Sequence, residues 1–200
     1  FIIFQLSILH FTKKIKMNKK SIFLSNLAWQ TKDQKKIIKA IKHNKFTGID
    51  FAPLQITNSW NNINKKVKKY FSFLKKNKIK VNAIQGIFYK KKFNLFNSNQ
   101  SLTKIIDHLH IIIKLCHTLN CNKIIVGSSQ FRNKLKLKKI FADKIFCNFL
   151  KKTIPLLEKN KIFFCLETIP KQYNEKYLYN FKDTVNIVKK INSKWIKINY

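Results

Sequence analysis

Glycine and proline are scarce in this sequence, which has only three of each among its 200 residues. Collagen-like, elastic and linker-dominated chains need far more of both, so these architectures are excluded. No apolar run approaches the roughly 20 residues that span a bilayer, and we therefore expect a soluble protein with no membrane partner. Apolar residues make up 45% of the chain and aromatic residues 14%, which is enough to fill the core of one globular domain.

Acidic residues and arginine are also rare. Eight Asp and Glu stand against 42 Lys and Arg, which gives a formal net charge of +34, and Arg132 is the only arginine. A field this strong attracts any polyanion. Nucleic-acid sites normally use clustered arginines, however, whereas lysine here is spread over every predicted helix. Because Lys, Asn, Ile and Phe share adenine- and thymine-rich codons, we favour a genomic composition bias over a selected polyanion site and expect no specific nucleic-acid partner.

The chain has four cysteines, each in an apolar stretch and none in a Cys-x-x-Cys pair: Cys116, Cys121, Cys147 and Cys165. This pattern predicts free structural thiols in a reducing cytoplasm rather than a metal cage or disulfides. Of the histidines, His108 and His110 are two residues apart on a predicted helix and cannot face one ligand together, and His117 is interpreted as a packing residue.

The first sixteen residues place an apolar run before a basic one, the reverse of a secretory signal peptide. We interpret residues 1–16 as an upstream leader or non-native extension, with Met17 as the true start and residues 17–200 as one domain. A short amphipathic membrane anchor is the alternative for this leader.

Short apolar runs alternate with longer helical patterns from Ser21 onward. The runs have the composition of buried parallel strands, and they begin at Ser21, Thr47, Ile79, Lys123, Lys161 and Lys194. The spacing of apolar residues predicts helices over residues 32–43, 61–77, 101–119, 141–160 and 181–191. Thr31 and Ser101 are the predicted caps of the first and third helices.

Repeated βα units without a glycine-rich turn after the first strand favour a (β/α)8 barrel of the TIM type over a dinucleotide-binding sheet. Only six strands and five helices are predicted, and a closed barrel typically needs about 250 residues. We therefore predict an incomplete barrel with about six of eight βα units and unpaired edge strands. An open six-stranded sheet is the alternative.

Five short motifs at successive strand ends carry a resemblance to a known family. They are SNLAW from Ser25, GIDFAP from Gly48, AIQGIFYKKKFNLF from Ala83, VGSSQFR from Val126 and LETIPKQY from Leu166. Together they resemble the sugar phosphate isomerase/epimerase family, the xylose-isomerase-like barrels that also include tagatose-type epimerases and apurinic endonucleases. Two positions depart from the family pattern, with Asp50 in place of Glu and Ser129 in place of Pro.

The strand ends of a barrel meet at one mouth, so the polar residues of these motifs are expected to share a pocket. Glu167 is the most informative, because it is an acid that closes an apolar strand in a chain with few acids, and its burial calls for a compensating cation. The resemblance implies the same role: the fifth-strand Glu of the family is a metal ligand and moves a proton. For Glu167 a structural ion pair is the alternative.

The other expected substrate contacts are polar residues or tyrosines at strand ends and loops: Asn26, Gln85, Tyr89, Ser128, Ser129, Arg132 and Tyr173. The backbone amides of Ser128 and Ser129, with Arg132, are candidates for a phosphate or sugar hydroxyl. Arg132 is equally interpreted as a cap of the barrel rim, and both tyrosines, like the candidate hydrophobic wall Trp29, as packing residues.

The resemblance thus implies a cytoplasmic isomerase or epimerase of a small sugar or sugar phosphate, in which Mg²⁺, Mn²⁺ or Zn²⁺ stabilises an enediolate. The family's further ligands, an Asp, a His and a second Glu, have no counterpart in these 200 residues, so this chain is expected neither to retain the metal nor to be active. An apurinic-endonuclease-like or basic nucleic-acid-binding protein and a non-catalytic remnant are the alternatives.

Overall fold

The computed structural model describes residues 21–97 and 101–199. The predicted leader of residues 1–16 and the predicted start at Met17 lie outside the described residues. In the described part of the chain, no helix combines the length and the apolar character needed to cross a membrane.

Six parallel strands form one sheet in the order of the sequence. Their bounds are β1 Phe23–Ser25, β2 Gly48–Phe51, β3 Lys80–Ile84, β4 Lys123–Val126, β5 Phe163–Glu167 and β6 Ile196–Asn199. Each lies inside the run predicted from the sequence. In the described residues β1 pairs only with β2 and β6 only with β5, so the sheet is open and has two edges, as an incomplete barrel requires.

Five helices connect these strands: α1 Gln34–His43, α2 Ile63–Lys76, α3 Leu102–Leu119, α4 Lys139–Asn160 and α5 Phe181–Ile191. The predicted helices are confirmed to within two residues at every end. Their apolar stripes are buried against the sheet, as Ile38 and Ile41 of α1 and Ile105 and Leu109 of α3 show. Every parallel connection therefore passes through a helix that covers one face of the sheet.

One predicted helix cap is confirmed and the other is wrong. The Ser101 hydroxyl accepts a hydrogen bond from the Lys104 amide, 3.4 Å away, at the start of α3. Thr31 instead opens a short 3-10 turn that precedes α1, and its hydroxyl donates to the Gln55 carbonyl at 2.7 Å. Thr31 therefore joins the loops that follow β1 and β2 rather than capping a helix.

A row of aromatic rings holds the loops of the central strands to the helices. Phe88, after β3, stacks on Phe131, after β4, with ring centroids 4.0 Å apart. Phe131 in turn packs against Phe149 of α4, and Phe149 against Phe164 of β5. These contacts are made on the helix-covered face, so the loops that leave β3 and β4 are fixed close to their strand ends.

His108 of α3 fixes the loop after β3 from the helix side. Its ring is buried against Trp60, with centroids 4.7 Å apart, and its Nε2 lies 2.7 Å from the Ile87 carbonyl. His110 is exposed, so the two histidines face different environments, as the sequence predicts. Burial, with a smaller contribution from Lys91, lowers the pKa of His108 from 6.5 to about 4, although the Ile87 hydrogen bond opposes this shift.

Stability should therefore fall as the pH drops from about 6.5 towards 4. In this window the unfolded chain binds a proton at His108 and the folded chain does not, so protons favour unfolding by up to about 3 kcal/mol. We expect His108→Gln, which keeps a donor for the Ile87 carbonyl but cannot titrate, to lose this part of the pH dependence. The measurement is urea unfolding of both proteins from pH 7 to 4, and parallel stability curves would contradict it.

Candidate functional site

The candidate site lies where the strands end, and Glu167 is at its centre. Glu167 is the last residue of β5 and is half-buried. Gly127, the residue after β4, lies directly against it: a Cβ at position 127 would be 2.9 Å from Glu167 Cδ and closer still to Oε2. The absence of a side chain at Gly127 therefore makes room for the carboxyl group over the end of β4.

The Glu167 carboxyl group accepts no hydrogen bond from the part of the chain that the structure describes. Burial raises its pKa, the guanidinium of Arg132 lowers it, and the Asp50 carboxylate raises it further. Burial is the largest of these effects, so the group holds a proton more readily than an exposed glutamate does. A half-buried carboxyl group with a raised pKa and no hydrogen bond suits proton transfer.

Arg132 is fully buried and makes structural contacts. Its Nη1 donates to the Glu167 carbonyl at 2.8 Å, and its Nη2 forms an ion pair of 2.8 Å with Glu175 in the loop between β5 and α5. Both side chains of this pair are inaccessible to solvent. Of the two interpretations that the sequence allows, the contacts support Arg132 as a clamp at the barrel rim, since no face of the guanidinium is open.

Glu175 was not singled out from the sequence. Its Oε2 pairs with Arg132, and its Oε1 accepts the Tyr177 amide at 3.1 Å. The Tyr177 hydroxyl donates to Asp143 at 2.7 Å, so the loop is also held to α4. No local motif marks this carboxylate, because its partner is 43 residues away in the sequence.

Asn26 and Gln85 tie neighbouring strand ends together. Asn26 is buried, its amide donates to the Ala52 carbonyl at 3.3 Å, and its oxygen accepts the Ala52 amide at 2.7 Å. Gln85 donates to the Ser25 hydroxyl at 2.6 Å and to the Asp50 carbonyl at 3.0 Å. These two expected substrate contacts thus hold the ends of β1, β2 and β3 in register. Trp29, the candidate wall, is buried and donates to Gln34 at 2.7 Å.

A polar row crosses the face of the sheet opposite the helices, which we call the inner face and define by Asp50, Asn82, Lys123, Cys165 and Glu167. Asn82 donates to Asp50 at 2.7 Å, and Lys123 donates to Asn82 at 2.8 Å. Burial raises the pKa of Asp50, while Asn82 and Lys123 lower it. The signal for this row was present in the sequence, because Asp50 and Asn82 are polar residues within otherwise apolar strands.

The remaining expected contacts are on loops around the mouth. Tyr89 and Tyr173 are 62% and 66% exposed, in the loops after β3 and β5. Ser128 and Ser129 are half-buried after β4, and the Ser128 hydroxyl accepts the Phe131 amide at 3.3 Å. No contact joins either tyrosine to Glu167 in the described residues. The tyrosines therefore lie on loops around the mouth, whereas Ser128 and Ser129 directly follow Gly127, the residue that lies against Glu167.

The donor set does not amount to a metal site. Across residues 21–97 and 101–199, no three His, Cys, Asp or Glu side chains lie close enough together to hold an ion. Glu167 and Asp50 are the carboxylates of the inner face, and Asp50 already accepts a hydrogen bond from Asn82. Mg²⁺ and Zn²⁺ need more ligands than this.

Gly127→Ala should destabilise the fold through Glu167 specifically. The added methyl group forces the carboxyl group to move, at a cost of about 1–3 kcal/mol. In a Glu167→Ala background the carboxyl group is gone and only the Cβ of residue 167, 3.1 Å from the added methyl group, remains. The same substitution should then cost at least about 1 kcal/mol less. The measurement is a double-mutant cycle in urea.

Gly86→Ala is the control for this cycle. Gly86 has a φ of 63°, and a Cβ there would approach nothing nearer than Ala52 Cβ at 3.6 Å. Its cost should not depend on residue 167. Additive effects of Gly127→Ala and Glu167→Ala would contradict the contact.

Arg132→Met should destabilise the protein by about 3–5 kcal/mol, because it leaves the Glu175 carboxylate buried without its counter-charge. The double variant Arg132→Met/Glu175→Leu should lose less than the sum of the two single changes. Lys194→Met is the matched control, since it breaks an exposed pair with Glu158 and should cost less than about 1 kcal/mol. Urea unfolding measures all four variants, and a loss as small as the control's for Arg132→Met would show that the clamp contributes little.

Solved structures with the same fold differ widely in activity. An AP endonuclease of family 2 from Brucella melitensis matches with a TM-score of 0.67 and 13% identity, covering 90% of this chain and 68% of that one. The IolI protein with a bound zinc atom gives 0.66 and 13%, covering 90% and 62%. D-psicose 3-epimerase with D-tagatose from Clostridium cellulolyticum H10 gives 0.65 and 14%, covering 90% and 62%. At these identities the likeness shows the fold alone.

No curated protein matches this sequence. The chain spans between 62% and 68% of the length of the three solved structures above. A family model, the xylose isomerase-like TIM barrel, matches residues 38–200 and so includes every strand end described above except that of β1. By this match, the chain belongs to the xylose isomerase-like TIM-barrel family.

Proposed function

We propose that this chain carries the proton-transfer group and part of the substrate-binding mouth of a sugar or sugar phosphate isomerase or epimerase. The observation that carries the proposal is the Glu167 carboxyl group, which is half-buried, lies in the space left by Gly127 and accepts no hydrogen bond from the described residues. A neighbour of the same fold has been solved with D-tagatose bound, which supports a small sugar as the ligand.

The proposed chemistry moves a proton on a carbon next to a carbonyl group. Its raised pKa lets Glu167 take the proton from one face of the sugar and keep it long enough to return it. The Arg132–Glu175 ion pair fixes the Glu167 backbone, because Arg132 donates to the Glu167 carbonyl. The side chain of Glu167 can therefore rotate while its backbone stays in place. Ser128 and Ser129 offer backbone donors beside it, and Tyr89 and Tyr173 offer exposed rings and hydroxyls at the loops.

The family implies a divalent metal, Mg²⁺, Mn²⁺ or Zn²⁺, and one neighbour contains zinc. When bound, such an ion polarises a carbonyl group and stabilises the negative charge of the enediolate. The described residues do not fit it, because Glu167 has no companion ligands among them. We therefore propose that the 200-residue chain does not retain the ion and does not turn over substrate by itself.

A nucleic-acid role is the second candidate, since an AP endonuclease shares the fold and the net charge is +34. The position of Arg132 weighs against it. The one guanidinium of the sequence is buried in an ion pair, so none is available to grip phosphates or read base edges. A non-catalytic remnant is the third candidate.

We expect an uncharged ketose to bind at the mouth. In a ¹H–¹⁵N titration of the full chain, D-tagatose should shift the amides of Gly127, Ser128, Ser129 and Thr168 rather than those of the surface helices. Glu167→Gln should leave these shifts largely intact, because it keeps the shape of the side chain while removing its ability to take a proton.

Controls are needed because a chain of charge +34 attracts any anion. Inorganic phosphate at matched ionic strength reports this general attraction, and Mn²⁺ reports a retained metal through paramagnetic broadening around Glu167. Absence of any ketose shift would overturn the sugar proposal. Shifts of the same amides by single-stranded DNA with an abasic site, at 150 mM salt, would favour the nucleic-acid candidate.

A further inference from the structure

Helix α3 ends in a backbone motif that brings two cysteines together. Asn120 has a left-handed backbone, with φ 53° and ψ 44°, and its amide donates to the His117 carbonyl at 3.2 Å. The next amide, that of Cys121, donates back to the Cys116 carbonyl at 3.0 Å. These two bonds form a Schellman motif, which normally places an apolar pair in contact at the positions that Cys116 and Cys121 occupy.

The two thiols are neighbours in this motif. The Cys121 thiol is near enough to act on the Cys116 thiol and, together with burial, raises its pKa. Standard bond lengths on either side of the Cys121–Cys116 backbone hydrogen bond limit the separation of the two α-carbons to roughly 7 Å. That is the largest separation that a disulfide bridges without backbone movement.

The cysteines also differ in access to solvent. Cys121 is half-buried, whereas Cys116, Cys147 and Cys165 are all buried, the last two on α4 and β5. All four cysteines of the sequence lie within the described residues, so Cys121 is the thiol that a reagent in solution meets first. Its neighbour in the motif is Cys116, the thiol nearest to it for forming a disulfide.

We propose that Cys116 and Cys121 are a redox modification site that forms a reversible intramolecular disulfide by exchange with a low-molecular-weight disulfide. Cys121, as thiolate, attacks one sulfur of that disulfide, forms a mixed disulfide and expels the other sulfur as a thiolate. Cys116 then gives its proton to water and attacks the Cys121 sulfur, which expels the second small thiolate. The two expelled thiolates take up the two protons that the cysteines released. Two protein thiols are oxidised and one small disulfide is reduced to two thiols.

The bond would act at a weakly paired point of the sheet. β4 begins two residues after Cys121, and in the described residues its pairing to β3 is a single register pair, Ile84 with Ile124. Its pairing to β5, in contrast, extends over all four of its residues. A covalent link across the end of α3 would restrict opening of the junction between α3 and β4, which otherwise depends on hydrogen bonds and packing.

The test is oxidation of the native full chain with glutathione disulfide, followed by alkylation and peptide mapping without reduction. We expect the chain to lose two of its four free thiols, with the bond mapped to Cys116 and Cys121 and reversed by dithiothreitol. Hydrogen exchange of the amides of Asn120, Cys121 and Lys123 should slow in the oxidised form.

Two variants separate this pair from the other thiols. Cys147→Ala/Cys165→Ala retains the pair and should oxidise like the wild type, whereas Cys121→Ser should show neither the disulfide nor a stable glutathione adduct on Cys116. If a variant does not fold, peptide mapping of the wild-type chain still tests the proposal. Three outcomes would each overturn the proposal. The first is a glutathione adduct on Cys121 that never becomes a disulfide, and the second is a bond mapped to another pair. The third is a native chain with all four thiols still free under conditions that fully oxidise the unfolded chain.

Discussion

The mouth of this barrel depends on one buried ion pair. Arg132 follows β4, contacts the carbonyl of Glu167 at the end of β5 and pairs with Glu175 in the next loop. A buried ion pair contributes little net stability to the fold. It does restrict the conformations of the loops that carry it, because any conformation that separates the two charges is strongly disfavoured. Two strand ends and a long loop are therefore held in one geometry. Glu167 owes its place to this clamp as much as to its own strand.

Scarcity of acids makes their positions informative. The chain has eight carboxylates and a net charge of +34, and four of the eight form ion pairs: Glu175 with Arg132, Asp143 and Asp183 with Lys139, and Glu158 with Lys194. Asp143 also accepts a hydrogen bond from Tyr177. Asp50 and Glu167 differ, because both are half-buried on the inner face and both have raised pKa values. Asp50 has Asn82 as a partner, so Glu167 is the carboxylate of this face that no side chain in the described residues engages by a hydrogen bond.

The sequence predicted the elements well and the site less well, for a physical reason. Helices and strands follow from local periodicity, and α5 begins and ends at the predicted residues. The roles of Arg132 and Asn26 depend on partners 43 and 26 residues away, which no local pattern specifies. From its place after a strand, Asn26 is expected to face a ligand, and Arg132 is expected either to do so or to cap the barrel rim. In the structure the same position brings them within reach of neighbouring strand ends and of the loop after β5, where the Asn26 amide and the two Nη atoms of Arg132 form hydrogen bonds.

The lysine bias extends to the inner face and determines how much water reaches it. Lys123 donates to Asn82. Burial raises the pKa of Cys165 to about 11, although the charges of Lys123 and Lys197 oppose this shift. Lys123 and Lys197 are exposed, which is how a sheet face tolerates ammonium groups. The described part of the inner face is therefore open to water. Under the proposed function, a sugar held at the loops would meet this hydrated face, whereas proton transfer from carbon is favoured where water is excluded.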